Sequence, residues 1–127
     1  MTCEWAILCH GVELHSESGG LSILGVFGRV LVDRLPGTIN PLDLAVRLSG
    51  EPRERGTLTV AVHDPNGALL KALPPEQIQL GAYGFVDFTA PLAPVSLKLA
   101  GLYVAIISVD DVELRRSPIP VEKIQLM

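Results

Sequence analysis

Leu42, Leu44, Val46 and Leu48 alternate with Asp43, Ala45, Arg47 and Ser49, and Leu58, Val60 and Val62 alternate with Thr57, Thr59, Ala61 and His63. A repeat of two places one set of side chains on a single face of an extended strand, and it cannot be gathered onto one face of a helix. Two such segments, joined by the polar stretch 49–56, commit the middle of the chain to half-buried strands. The rest reads the same way. Apolar runs at 5–12 and 22–32 flank the cluster Ser16-Glu17-Ser18-Gly19-Gly20, which predicts a first hairpin. Gly25 and Gly28 inside the second run predict a bulge or the close approach of another backbone.

The remaining punctuation divides the chain into short pieces. Two prolines and a glycine mark a loop at 34–41, and Asp64-Pro65-Asn66-Gly67 is a strong turn signal with the Asp64 side chain free to cap the backbone. A short strand at 68–72 follows it. Residues 73–79 suit either one helical turn or a loop. Residues 83–90 read as a strand, broken afterwards by Pro91 and Pro94. The most apolar strand, 102–109, reaches Asp110-Asp111, a tight connection into 112–114. Pro118 and Pro120 confine any last strand to an edge, with 121–127 pairing or loose. No amphipathic helix emerges.

Short strands separated by regular turn signals predict an all-β fold, an immunoglobulin-like antiparallel β-sandwich of about seven to nine strands spanning residues 1–127 as one domain. Tyr103, two residues after Gly101 at the start of a late strand, has the placement of a tyrosine corner, in which the hydroxyl returns to nearby backbone. There is no Cys…Trp…Cys spacing of the antibody type.

Ala6-Ile7-Leu8-Cys9-His10, Gly20-Leu21-Ser22-Ile23-Leu24-Gly25-Val26-Phe27, the 42–48 strand, the Asp64–Gly67 turn and Gly101-Leu102-Tyr103 together resemble a bacterial family of small β-domains, the DUF6941 type. The chain departs from that pattern in having His10 where an Asp is common, and Gly19-Gly20 at the turn. The resemblance implies the fold and no activity, catalytic residue or cofactor.

Composition narrows the function. Hydrophobic residues are 48% and charged residues 19%, below the roughly 25% usual in globular chains, so strands should be buried on both faces or surface hidden against a partner. A net charge of −4 disfavours nucleic acid and anionic membrane. No signal-like or membrane-spanning segment is present, which predicts a cytoplasmic address. Cys3 and Cys9 on one extended strand would lie roughly 20 Å apart, too far for a disulfide, and fit that address as reduced thiols. Cys9 reads as a small buried hydrophobe.

The chemistry-bearing residues do not assemble into a known motif. Cys3, Cys9, His10 and His15 are zinc-ligand types, but Cys9 and His10 point to opposite faces of a strand and no C-x₂₋₄-C pair exists. Asp33, Asp64, Asp110 and Asp111 near strand ends raise a calcium- or small-ligand-sensing alternative. No G-x-S-x-G elbow or phosphate-cradling glycine loop occurs, and no nucleophile can be paired with a base. These residues predict no catalytic site, metal or cofactor.

The leading expectation is a non-enzymatic protein-binding or assembly module, acting on a protein partner or by homo-oligomerisation. It would use a strand edge or an apolar sheet face. Candidate contact residues are Trp5, near the start and otherwise a core residue, and Ile119, Val121 and Ile124 on a terminal edge spanning 119–125. The 68–72 strand is a second candidate edge.

Overall fold

The computed structural model describes residues 1–15, 17 and 20–124. The thirteen strands found there outnumber the expected seven to nine, because both long apolar runs near the start break in two and three of the expected loops hold short strands. They are β1 (Thr2–Cys9), β2 (Gly11–His15), β3 (Gly20–Leu24), β4 (Val30–Val32), β5 (Gly37–Ile39), β6 (Asp43–Ser49), β7 (Arg55–His63), β8 (Leu69–Ala72), β9 (Glu76–Gln79), β10 (Phe85–Pro91), β11 (Val95–Leu97), β12 (Gly101–Val109) and β13 (Val112–Lys123). The stretch allowed a helical turn is β9, extended because it completes the sheet beside β7.

Two sheets face each other. One has the order β1-β6-β10, the other β4-β13-β12-β7-β8 with β9 also on β7. All pairings are antiparallel except β4 with the end of β13, which is parallel. The chain passes from β6 to β7 across the sheets, returns at β10, and crosses again to the β12–β13 hairpin. This is the immunoglobulin arrangement, strands A-B-E against G-F-C with an added strand beside C. The excursion between β1 and β6 carries β2 to β5.

The alternation read from the sequence builds the core. Leu44, Val46 and Leu48 from β6 meet Leu58, Val60 and Val62 from β7, and Tyr103, Ala105, Ile107 and Val109 from β12. The Tyr103 hydroxyl donates to the Leu99 carbonyl at 2.7 Å, so the tyrosine corner is present. The other two turn readings hold as well. Asp64 Oδ1 accepts the N–H groups of Asn66 and Ala68, both at 2.9 Å. Asp110 and Asp111 adopt positive φ in a two-residue hairpin between Val109 and Val112.

The first hairpin forms between β2 and β3, with Leu14 opposite Leu21 and Val12 opposite Ile23. Ser16, Ser18 and Gly19 of its turn lie outside the described residues, as do Gln125–Met127. At Gly25 the close neighbour is a side chain and not the expected backbone: its φ is +65°, and a Cβ there would lie 2.6 Å from the His10 ring. Nothing approaches Gly28 in that way.

Candidate functional site

Ile119 and Val121 are core residues, not contact residues. Register pairs Ile119 with Tyr103 and Val121 with Gly101, so both face inward with Tyr103, each 2% exposed. Pro118 and Pro120 take the outward positions opposite Val104 and Leu102. The prolines do mark an edge, since only Val121–Lys123 of β13 have a second neighbour, but the apolar residues between them point the other way.

Ile124 is partly exposed and borders an open groove of about 790 Å³ with Leu31, Asp33, Arg34 and Pro36. A second groove of about 310 Å³ continues it past Val30 and Ile39 to His10 and Phe27, whose rings meet edge to face at 5.0 Å.

Trp5 stands elsewhere, on the outer face of the three-stranded sheet opposite Arg47. The Arg47 guanidinium lies 5.5 Å from the Trp5 ring and 4.5 Å from the Phe85 ring, and it grips Asp87 through two bonds of 2.6 and 2.8 Å. The carboxylate holds this guanidinium firmly charged. Trp5 is thus a half-buried lid on an ion pair rather than a core residue. Tyr83 and Phe85 are exposed, because Tyr83 falls in the turn before β10 and Phe85 on its outer face.

The remaining chemistry-bearing residues serve the fold. Asp110 Oδ1 accepts the Thr57 N–H at 2.9 Å, at the end of β7 remote from Asp64. Six strand residues separate Thr57 from Asp64, roughly 23 Å of extended chain, so the two carboxylates do not converge. No group of three or more His, Cys, Asp or Glu side chains gathers among the described residues. Cys3 and Cys9 are free thiols on one strand, both shifted up by burial, Cys9 also by the Asp43 carboxylate.

One surface was not anticipated. On the β2–β3 hairpin the register stacks Val12, Leu14, Leu21 and Ile23 on one face, against Glu13, Ser22 and His15 on the other. None of these four apolar residues packs on the core cluster, and Leu14 is 79% exposed. The alternation in 11–15 and 20–24 is visible in the sequence; what hides it is that both strands overlap the ends of longer apolar runs. A two-stranded ribbon alone is marginally stable in water, and this one carries its apolar face off the core cluster, with Leu14 in solvent and the other three half-buried.

The profile of DUF6941, a family of unknown function, matches residues 4–122. The chain belongs to this family. No curated protein matches the sequence. Among solved structures, an alkylpurine DNA glycosylase of Pseudomonas fluorescens bound to DNA containing an abasic-site analogue is similar with a TM-score of 0.51 and 13% identity. That match covers 75% of this chain and 28% of the glycosylase. A β-glucosidase from Listeria innocua in complex with glucose gives 0.46 at 10% identity over 78% of this chain and 15% of that one. An immunoglobulin-like protein from Pseudomonas aeruginosa gives 0.41 at 12% identity over 91% of each chain. The chain spans under a third of the two enzymes, and the likeness to the glycosylase concerns the fold. The sandwich belongs to the family's matched region almost entire, and so does the excursion between β1 and β6.

Proposed function

We propose that this member of the family is a non-enzymatic protein-binding module whose contact surface is the apolar face of the β2–β3 hairpin. The observation that carries the reading is the apolar face Val12, Leu14, Leu21 and Ile23, none of which joins the core cluster, with Leu14 79% exposed and the other three half-buried. The two packed sheets do not include β2 or β3, so the hairpin is an addition to the frame, the usual place for binding residues. Asp64 and Asp110, two of the four carboxylates that would suit a cation, accept backbone N–H groups. Two free thiols suit a reducing compartment and support a cytoplasmic setting.

The test is recovery of partners from the native host with the full chain and with Leu14→Asp. A charge at this exposed position leaves the sandwich folded and sets an unpaired carboxylate in the contact. Partners held by the unchanged chain and lost with Leu14→Asp support the reading. Identical partner sets for two equally folded proteins sink it.

A further inference from the structure

Among the rim strands of the two packed sheets, β10 alone lacks a device against further pairing. β1 has a bulge between Cys3 and Trp5, and Arg115 Nη1 donates to the Cys3 and Glu4 carbonyls at 3.5 and 3.3 Å. β13 carries Pro118 and Pro120. β8 is four residues long and holds Lys71, whose ammonium reaches across to the carbonyls of Leu92 and Pro94. β9 is equally short with Glu76, and β4 has three residues. β10 runs for seven residues, its single charge Asp87 is tied to Arg47, and its proline comes last. Short length, lysine, proline and bulges are the means by which natural edges resist pairing, so their absence here marks an edge meant to be paired.

The backbone directions along this edge follow from two bonds at its ends. Gly50 N–H donates to the Gly84 carbonyl at 2.9 Å and Leu92 N–H to the Leu42 carbonyl at 3.0 Å. Even-numbered residues between them therefore exchange bonds with β6, and Phe85, Asp87, Thr89 and Pro91 turn their groups outward. The Phe85 carbonyl is already taken by the Gly81 N–H at 2.9 Å, and Pro91 has no N–H. What the edge offers is the N–H of Phe85, both groups of Asp87, both groups of Thr89, and the carbonyl of Pro91.

We propose that β10 pairs antiparallel with β10 of a second copy of this chain, about a two-fold axis at Phe88. In that register the Phe85 N–H meets the Pro91 carbonyl of the other copy, while Asp87 and Thr89 exchange both bonds. Every free donor finds an acceptor and none is left over. On the outer face the exposed Phe85 ring meets the exposed Pro91. Neighbouring registers fail. Centring on Asp87 sets two carboxylates side by side and offers an N–H to the occupied Phe85 carbonyl. Centring on Thr89 turns the Asp87 carbonyl toward a proline nitrogen. The contact is isologous and closes as a dimer, with one six-stranded sheet running through both copies. It is independent of the hairpin reading.

Light scattering after gel filtration, over a concentration series of the full chain, tests this together with Thr89→Pro, which removes an N–H that the chain itself does not use. The expected result is a dimer for the unchanged chain and, for a Thr89→Pro protein melting near the same temperature, self-association weakened at least about tenfold. A chain that stays monomeric up to about millimolar concentration overturns the proposal, as does a folded Thr89→Pro protein that dimerises as before. Should Thr89→Pro not fold, amide exchange in the unchanged chain decides. The Asp87 and Thr89 amides must exchange more slowly at high concentration than at low, and exchange independent of concentration overturns the proposal. Leu14→Asp leaves the dimer intact, so either reading can fail without the other.

Discussion

The hairpins β12–β13 and β2–β3 have the same local design and opposite fates. Each is an antiparallel pair with apolar residues stacked on one face. In β12–β13 that face is Tyr103, Ala105, Ile107 and Val109 with Ile119 and Val121 opposite, all buried against the other sheet. In β2–β3 it is Val12 and Leu14 with Ile23 and Leu21, and no sheet lies over it. Pattern sets which side of a ribbon is apolar; topology sets whether anything covers that side. β12 follows the passage from β10 in one sheet to the other, so its inner face meets β6. β2 follows β1 after one intervening residue, His10, and leads away from both sheets before the chain returns at β4.

Core truncation gives the widest separation between the two. Ile107→Ala removes buried methylenes from a fully enclosed site and should lower stability by about 3 kcal/mol, seen as a fall in the denaturation midpoint. Leu14→Ala, at a position almost wholly in solvent, should cost under about 0.5 kcal/mol. A Leu14→Ala loss near that of Ile107→Ala would place the hairpin inside the cooperative core and erase the contrast.

Much of the sandwich could be read from residue order alone, because period two, turn chemistry and the Tyr103 corner are local signals. The edges could be read only in part: the 68–72 strand is a sheet edge, as expected, and the prolines of β13 mark another. Ile119 and Val121 were expected at a contact because they stand among prolines near the end of the chain, yet the same period of two that sends Pro118 and Pro120 outward sends them into the core. β10 went unnoticed as an edge since an edge is defined by a missing neighbour, and β9 could have joined it instead of β7. Trp5 and Arg47 are 42 positions apart in the chain, and only the β1–β6 register brings ring and guanidinium together.

Hydroxyl removal probes the closed hairpin at smaller amplitude. Tyr103→Phe keeps the buried ring and leaves the Leu99 carbonyl without its 2.7 Å donor, a loss of about 1–2 kcal/mol in chemical denaturation. A loss within error would mean that water takes the place of the hydroxyl and the corner is ornamental. Amide exchange should then rank the two ribbons directly. The Ala105 and Ile107 amides should open only with global unfolding, whereas those of β2 and β3 should exchange through local opening orders of magnitude faster. Equal protection would show that the ribbon is covered in the isolated protein, by its own chain or a second copy.

The smallest effect is expected at the joint between the two regions. Cys9 ends β1 with no exposed surface, while His10 beside it faces solvent and begins the departure toward β2. Burial first, and then the Asp43 carboxylate, raise the Cys9 thiol above its ordinary value. The folded chain therefore keeps its proton to higher pH than the unfolded chain does. The unfolded state binds fewer protons once the pH passes the free thiol's value of about 8.5, so stability falls from there until the folded thiol also ionises. Cys3, raised by burial as well, adds a loss of the same sign in the same range. Denaturation midpoints measured from neutral pH to about pH 10 should decline for the unchanged chain, and decline less steeply for Cys9→Ala once lysine and tyrosine titration common to both is subtracted. Parallel curves would mean that the thiolate finds water at the joint, and that the sandwich already begins to open at Cys9 rather than at the first residue of the hairpin.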